Sequence, residues 1–202
     1  MKNLTLRFAN HHDAGLMLAI YVSKIGSAGT KECGVPTRLE FTQQMEKDMK
    51  DGFPWVVAER DGALLGYAFA RRFEERYGFE WAVELSAYLA SDADTFRIQE
   101  ILYAAILNVL YQQGYCSCYA LVTTQNSLEV EFYKDYGFKE VARLPYACYK
   151  QGNWWELSYF HLKLRPYVAS PVPPVPFYQL DPDIMKKIFC RAADLEQASR
   201  ES

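Results

Sequence analysis

Residues 81–114 read WAVELSAYLASDADTFRIQEILYAAILNVLYQQG, and this stretch decides the fold. Residues 82–89 form an almost unbroken apolar run and predict a buried strand. A short polar loop follows over residues 90–95. A helix is expected over residues 96–113, closed by Gly114. Many folds hold an anionic cofactor where a strand feeds a helix through a loop of this size. The first turn of such a helix offers unpaired backbone N–H groups and the positive end of the dipole. One carboxylate, Glu84, stands inside the apolar strand. A carboxylate there needs a reason, and proton transfer is one.

The rest of the composition narrows the setting. A chain of 202 residues is one domain with room for a small appendage. Residues 1–164 take the domain, and residues 165–202 read as a Pro-rich strap and a C-terminal helix. The formal net charge is -3 and no Lys/Arg-rich stripe occurs, which argues against a nucleic-acid partner. The first residues lack the apolar core of a signal peptide, and no apolar run reaches membrane-spanning length. Cys33, Cys116, Cys118, Cys148 and Cys190 have no metal-site spacing. Reduced, mostly buried thiols in a cytoplasmic protein are therefore expected, with no metal.

The remaining elements follow in order. Residues 4–8 predict a first strand, and residues 11–25 a helix with Asp13 in its first turn. Residues 26–36 are a loop of glycine and small residues. Thr37 caps a second helix reaching Lys50, with Glu40 in capping-box position. Strands over 55–59 and 63–71 flank the Asp61-Gly62 hairpin signal. Residues 115–124 form a strand apolar enough to be covered on both faces. Asn126 opens a short helix ended by Gly137. Strands follow over 138–149, bulged near Pro145, and over 154–164. Five of the nine prolines fall within residues 165–176, which makes that segment extended. Asp181 and Pro182 start a last helix with Ile184, Ile188, Phe189 and Leu195 as its apolar stripe. The order β-α-α-β-β-β-α-β-α-β-β predicts an α/β protein: a central twisted mixed sheet with helices on both faces.

In this order, several segments carry a resemblance. They are Gly52-Phe53-Pro54 through Val57-Ala58-Glu59 to Asp61-Gly62 and Gly66-Tyr67-Ala68, and Val83-Glu84-Leu85-Ser86-Ala87-Tyr88-Leu89. Asn126 through Tyr133 to Gly137-Phe138, and Lys150-Gln151-Gly152 with Trp154, complete the set. Together they resemble the Gcn5-related N-acetyltransferase (GNAT) superfamily over residues 4–164. The closest likeness is to its phosphinothricin and methionine sulfone N-acetyltransferase subfamily. The resemblance implies the acyl-CoA N-acyltransferase fold and acetyl transfer from acetyl-CoA to the primary amine of a small molecule. It also implies a homodimer, which members of that subfamily commonly form.

The resemblance gives roles to residues. Glu84 is the candidate base, against the alternative of a paired structural carboxylate; a carboxylate in apolar surroundings holds its proton more tightly. Tyr133 matches the place of the proton donor to the leaving thiolate, although the subfamily often has histidine there. The alternative is a half-buried helix aromatic. Asn126 matches an asparagine that bonds the pantetheine arm, and equally reads as a plain N-cap. The strand at Ala87, Tyr88 and Leu89 is expected to lie alongside the pantetheine like a neighbouring strand.

Two departures stand out. The pyrophosphate loop of the superfamily has the form Gln/Arg-x-x-Gly-x-Gly/Ala. This chain has Asp94, Thr95, Phe96, Arg97, Ile98 and Gln99 in the cofactor-binding places, with side chains at both glycine positions and an acid first. Arg97 is expected to reach the phosphates as a clamp, or the helix to start later and open the loop. Otherwise the chain is a non-catalytic protein of this fold that binds a ligand or partner. In the acceptor region, Phe73, Glu74, Glu80 and Trp81 occupy places where the subfamily holds an acidic substrate with arginine. Carboxylates there predict a preference for cationic amines.

Overall fold

The computed structural model describes residues 4–25, 34–90 and 95–198. Asp94, Cys33 and most of the expected 26–36 loop lie outside these residues. The elements are β1 (Leu4–Phe8), α1 (Ala14–Ile25), α2 (Arg38–Lys50), β2 (Trp55–Arg60), β3 (Ala63–Arg72), β4 (Ala82–Leu89) and α3 (Thr95–Gln113). They continue with β5 (Ser117–Thr123), α4 (Ser127–Asp135), β6 (Lys139–Lys150), β7 (Asn153–Lys163) and α5 (Pro182–Ala198). The described strands form one seven-stranded sheet in the order β1-β2-β3-β4-β5-β7-β6. Only β4 and β5 run parallel; the other neighbours are antiparallel.

Local chemistry sets most boundaries. Thr37 and Glu40 close the capping box on α2, with Thr37 N–H donating to Glu40 Oε2 at 2.8 Å and Glu40 N–H to Thr37 Oγ1 at 3.2 Å. Asp61 and Gly62 both take positive φ between β2 and β3, as a two-residue hairpin turn needs. The ladder between β6 and β7 slips between Leu144 and Cys148, where Pro145 removes a donor. Helix α1 starts later than expected, at Ala14, so Asp13 lies just ahead of it. There the Asp13 carboxylate accepts from Asn10 N–H and from both terminal nitrogens of Arg7, the shorter at 2.7 Å.

Strand alternation sorts the core into two faces. Val56, Ala58, Ala68, Ala70, Val83, Leu85, Cys118 and Ala120 face α3, with Phe132 and Tyr133 of α4 in the same cluster. Trp55, Val57, Tyr67, Phe69 and Tyr88 face α1 and α2. The α1/α2 pair covers β2 to β4 only. Strand β5 is therefore not covered on both faces as its apolar run suggested. Tyr119 and Leu121 are half-buried, while Cys118, Ala120 and Val122 are buried.

The tail packs back on the α3 face. Val175 N–H donates to Gln113 O at 2.8 Å, and Phe177 N–H to Gly52 O at 3.1 Å. The buried Gln113 amide donates to both Gly52 O and Val175 O, each at 2.8 Å. Gly52 has φ +94, and a Cβ there would lie 2.9 Å from Pro176 Cα, so no other residue fits without a shift. Phe8 stacks between Phe177 and Phe189, with ring centroids at 4.7 and 5.0 Å. The inward stripe of α5 is Met185, Ile188, Phe189 and Ala192. Ile184 and Leu195, expected in it, are 40% and 39% exposed, because α5 is rotated so that Met185 takes the innermost place.

Candidate active site

Strands β4 and β5 pair over only Ala82–Glu84 and Ser117–Tyr119. Beyond that, residues 85–89 continue on β3, and residues 120–123 continue on β7. The two central strands fork at Glu84, and a wedge opens between Ala87–Leu89 on one side and β5 on the other. The Thr95 start of α3 and the Ser127 start of α4 follow the two arms of the fork.

Glu84 stands at the root of the fork on the α1/α2 face. Cross-strand register sets Arg71, Glu84, Tyr119, His161 and Lys139 in one row. Arg71 Nε lies 3.9 Å from Glu84 Oε1, a loose ion pair rather than a hydrogen bond. Glu84 thus has a neighbouring counter-charge and is half-buried. Phe73 stacks on Tyr119 at 4.3 Å between centroids, and Tyr119 lies 4.9 Å from the His161 ring. His161 Nε2 is 3.2 Å from Ser117 Oγ and 3.3 Å from Tyr167 Oη. Partial burial lowers the pKa of His161 and so favours its neutral imidazole.

A cavity of about 290 Å³ lies on the same face between α2 and the sheet. Its walls are the rings of Tyr21, Phe41, Trp55, Tyr67, Phe69 and Tyr88, and its charged lining includes Asp48 and Arg71. Trp55 and Phe69 stack at 4.1 Å between centroids, and the Arg71 guanidinium lies 5.1 Å over the Phe69 ring. Asp48 is 7% exposed. Gln44 Nε2 donates to its Oδ1 at 2.8 Å. Its Oδ2, Trp55 Nε1 and Arg71 Nε are buried without a hydrogen bond of good geometry, although the Trp55 indole lies near enough to the carboxylate to stabilise its charge. Burial raises the Asp48 pKa to about 6. The sequence reading passed over this cavity. The signal was present in two places. Bulky aromatics alternate at Trp55, Tyr67, Phe69 and Tyr88, and Asp48 continues the Phe41, Met45 stripe of α2.

Tyr133 lies on the opposite face of the fork. It is 1% exposed, so the expectation of a half-buried aromatic is corrected: Phe132, Phe138 and Phe160 enclose it. Its hydroxyl is 2.8 Å from the Tyr103 hydroxyl and reaches Glu129 Oε1 at 3.4 Å. Burial drives its pKa well above the ordinary phenol value, so the proton stays on oxygen. Asn126 acts as the N-cap of α4: Oδ1 accepts from Glu129 N–H at 3.3 Å, and Nδ2 donates to Glu129 Oε2 at 2.7 Å.

The remaining expected residues are placed as follows. Helix α3 begins at Thr95, one residue earlier than read, so the loop is not opened by a late start. Phe96 is exposed, Ile98 is buried and Gln99 half-buried. Arg97 donates to Glu100 Oε2 at 2.7 Å and to the Leu195 carbonyl at the far end of α5. Its guanidinium is turned onto the tail. Glu74 Oε1 accepts from Glu75 N–H at 2.9 Å and lies 3.9 Å from Arg76. Glu80 accepts from Gly78 N–H, and Trp81 Nε1 donates to Val172 O of the tail, both at 2.8 Å. Of the expected acceptor residues, Phe73 alone touches the row that contains Glu84, through Tyr119.

Comparison with known proteins gives a consistent result. The chain is 28% identical over 140 residues to a phosphinothricin N-acetyltransferase of Streptomyces viridochromogenes, covering 69% of this chain and 76% of that protein. It is 24% identical over 168 residues to an L-methionine sulfoximine/L-methionine sulfone acetyltransferase of Salmonella typhimurium, covering 82% and 98%. Among solved structures, a GNAT superfamily phosphinothricin acetyltransferase from Sinorhizobium meliloti in complex with AcCoA superposes with a TM-score of 0.78. It shares 24% identity and covers 90% of this chain and 97% of that one. Residues 6–157 match the acetyltransferase (GNAT) domain family. The forked sheet is thus that of a known family, and this chain belongs to the acetyltransferase (GNAT) domain family.

Proposed function

We propose that the chain is an N-acetyltransferase that uses acetyl-CoA to acetylate the primary amine of a small molecule. The observation that carries this reading is the fork between β4 and β5, with Glu84 at its root on the cavity side and a protonated Tyr133 across it. Acetyl-CoA supplies the acetyl group and a thiolate leaving group. The wedge suits its pantetheine arm, with Ala87, Tyr88 and Leu89 as the backbone rail. The first turn of α3, over Thr95, Phe96, Arg97, Ile98 and Gln99, offers backbone N–H groups to the phosphates. Glu84 takes a proton from the incoming ammonium, which frees the nitrogen lone pair. Tyr133 returns a proton to sulfur, with Tyr103 next in the hydrogen-bonded chain. The free thiols of Cys116, Cys118, Cys148 and Cys190 suit a reducing, cytoplasmic setting. A homodimer belongs to the same reading and is tested by sedimentation.

One observation favours a second reading, a binding protein of this fold. Arg97 is engaged by Glu100 and Leu195 rather than turned toward the fork. Calorimetry with acetyl-CoA, together with thiol release from a panel of amines, separates the two. Micromolar binding with turnover supports the transferase. No binding at millimolar acetyl-CoA refutes it.

A further inference from the structure

The aromatic cavity identifies the acceptor more closely than the family does, and this step rests on the function proposed above. Arg71 is the one guanidinium lining the cavity, and it stands beside both Asp48 and Glu84. Among the described residues, an acidic substrate would find its only cationic partner in this lining already facing two carboxylates. The reverse holds for a cation. Asp48 Oδ2 is buried with only the Trp55 indole near it and no hydrogen bond of good geometry, and a cationic nitrogen supplies a full donor. The rings of Phe41, Trp55 and Tyr67 line the same cavity, and aromatic lining of this kind favours a cationic group over an anionic one. The cavity continues along the sheet from Trp55 over Phe69 and Arg71, and cross-strand pairing sets Arg71 beside Glu84 at the fork. Glu84 is not in the lining itself; it adjoins the Arg71 end, so a molecule anchored at Asp48 must extend past Arg71 to meet the proposed base. At about 290 Å³ the cavity lies at the small end of ligand sites.

We propose that the acceptor is a small diamine-type cation: its second, positively charged nitrogen sits in the aromatic box against Asp48, while its reacting amine reaches Glu84. This preference was expected from Glu74 and Glu80. The structure instead ties those two carboxylates into their own loop and moves the basis for the preference to Asp48.

The test is direct binding, independent of turnover. Calorimetry on the full chain, with and without CoA, uses (4-aminobutyl)trimethylammonium and 1,4-diaminobutane as probes. Pentylamine, phosphinothricin and methionine sulfone are the comparators. The two dications are expected to bind at least tenfold tighter than every comparator. Asp48→Asn is expected to weaken them about tenfold or more while leaving acetyl-CoA affinity unchanged. Phe41→Leu, which keeps the carboxylate and removes a ring, is expected to weaken the trimethylammonium probe as well. Equal or tighter binding of phosphinothricin, no dication binding at millimolar concentration, or full affinity in Asp48→Asn overturns the proposal. Asp48-dependent dication binding without acetyl transfer to any amine refutes the transferase reading and with it the acceptor role, and leaves only the cation site.

Discussion

The two faces of the sheet differ in what fills them: the chain's own tail on one, an open cavity on the other. On the α3 face, the tail supplies partners to the domain, although Gln113 Oε1 and Arg97 Nε stay buried without one. Gly52 O accepts two donors, Gln113 joins two segments, and Phe8 is held between Phe177 and Phe189. On the α1/α2 face, Asp48 Oδ2, Trp55 Nε1 and Arg71 Nε are buried and lack hydrogen bonds of good geometry around one cavity. Most buried polar atoms in folded proteins have a partner, so each exception calls for an explanation. What separates the two faces is that the unsatisfied atoms of the α1/α2 face adjoin a cavity, which is where we place the acceptor.

The largest effect expected is chemical. Glu84→Gln should lower the acetyl-transfer rate by roughly 10²- to 10⁴-fold with acetyl-CoA affinity unchanged, read by steady-state kinetics and calorimetry. Turnover that is unchanged across pH removes Glu84 from the base role. On the closed face, Gln113→Ala strands the Val175 carbonyl and removes one of the two donors to Gly52 O, and should cost about 1–3 kcal/mol in urea unfolding. A cost below about 1 kcal/mol would mean that the strap is not integral to the core.

Asp48→Asn sharpens the contrast from the other side. The Asp48 pKa is raised from 3.8 to about 6 in the folded chain. The wild type therefore holds this contribution to stability below pH 4 and loses it as pH rises through 6. The variant should lack that loss and be roughly 2 kcal/mol more stable than wild type at pH 7, after discounting for solvent in the cavity. Thermal melts at pH 4 and pH 7 check the sign. The smallest effect is assigned to Arg97→Ala. With its guanidinium held by Glu100 and Leu195, the change should alter acetyl-CoA affinity by less than about tenfold. A larger loss would restore the phosphate clamp.

Local chemistry was legible in the sequence. The Thr37/Glu40 box, the Asp61-Gly62 turn, the Asn126 cap and the slip near Pro145 depend on residues a few positions apart, and the order of elements followed from them. The fork was legible only as a resemblance, because divergence of β4 from β5 leaves no pattern in either strand alone. The partners of Arg97 and Trp81 were not legible: Leu195 and Val172 lie 98 and 91 residues away. Asp48 was hidden for a different reason. On α2 a carboxylate normally marks the wet side, and only the aromatic face of the sheet opposite turns it inward. The α5 stripe was misjudged by its rotation, since spacing gives an apolar face but not which residue leads it.

The strap also bears on kinetics. Gly52 O serves Gln113 and Phe177 at once, so that junction forms only after segments separated by 61 and by more than a hundred residues have met. Closing such loops is slow, and their contacts form after the local hairpins and helices. Contacts absent from the transition state set the unfolding rate. The tail therefore acts mainly on how long the folded state survives, and little on how fast it is reached.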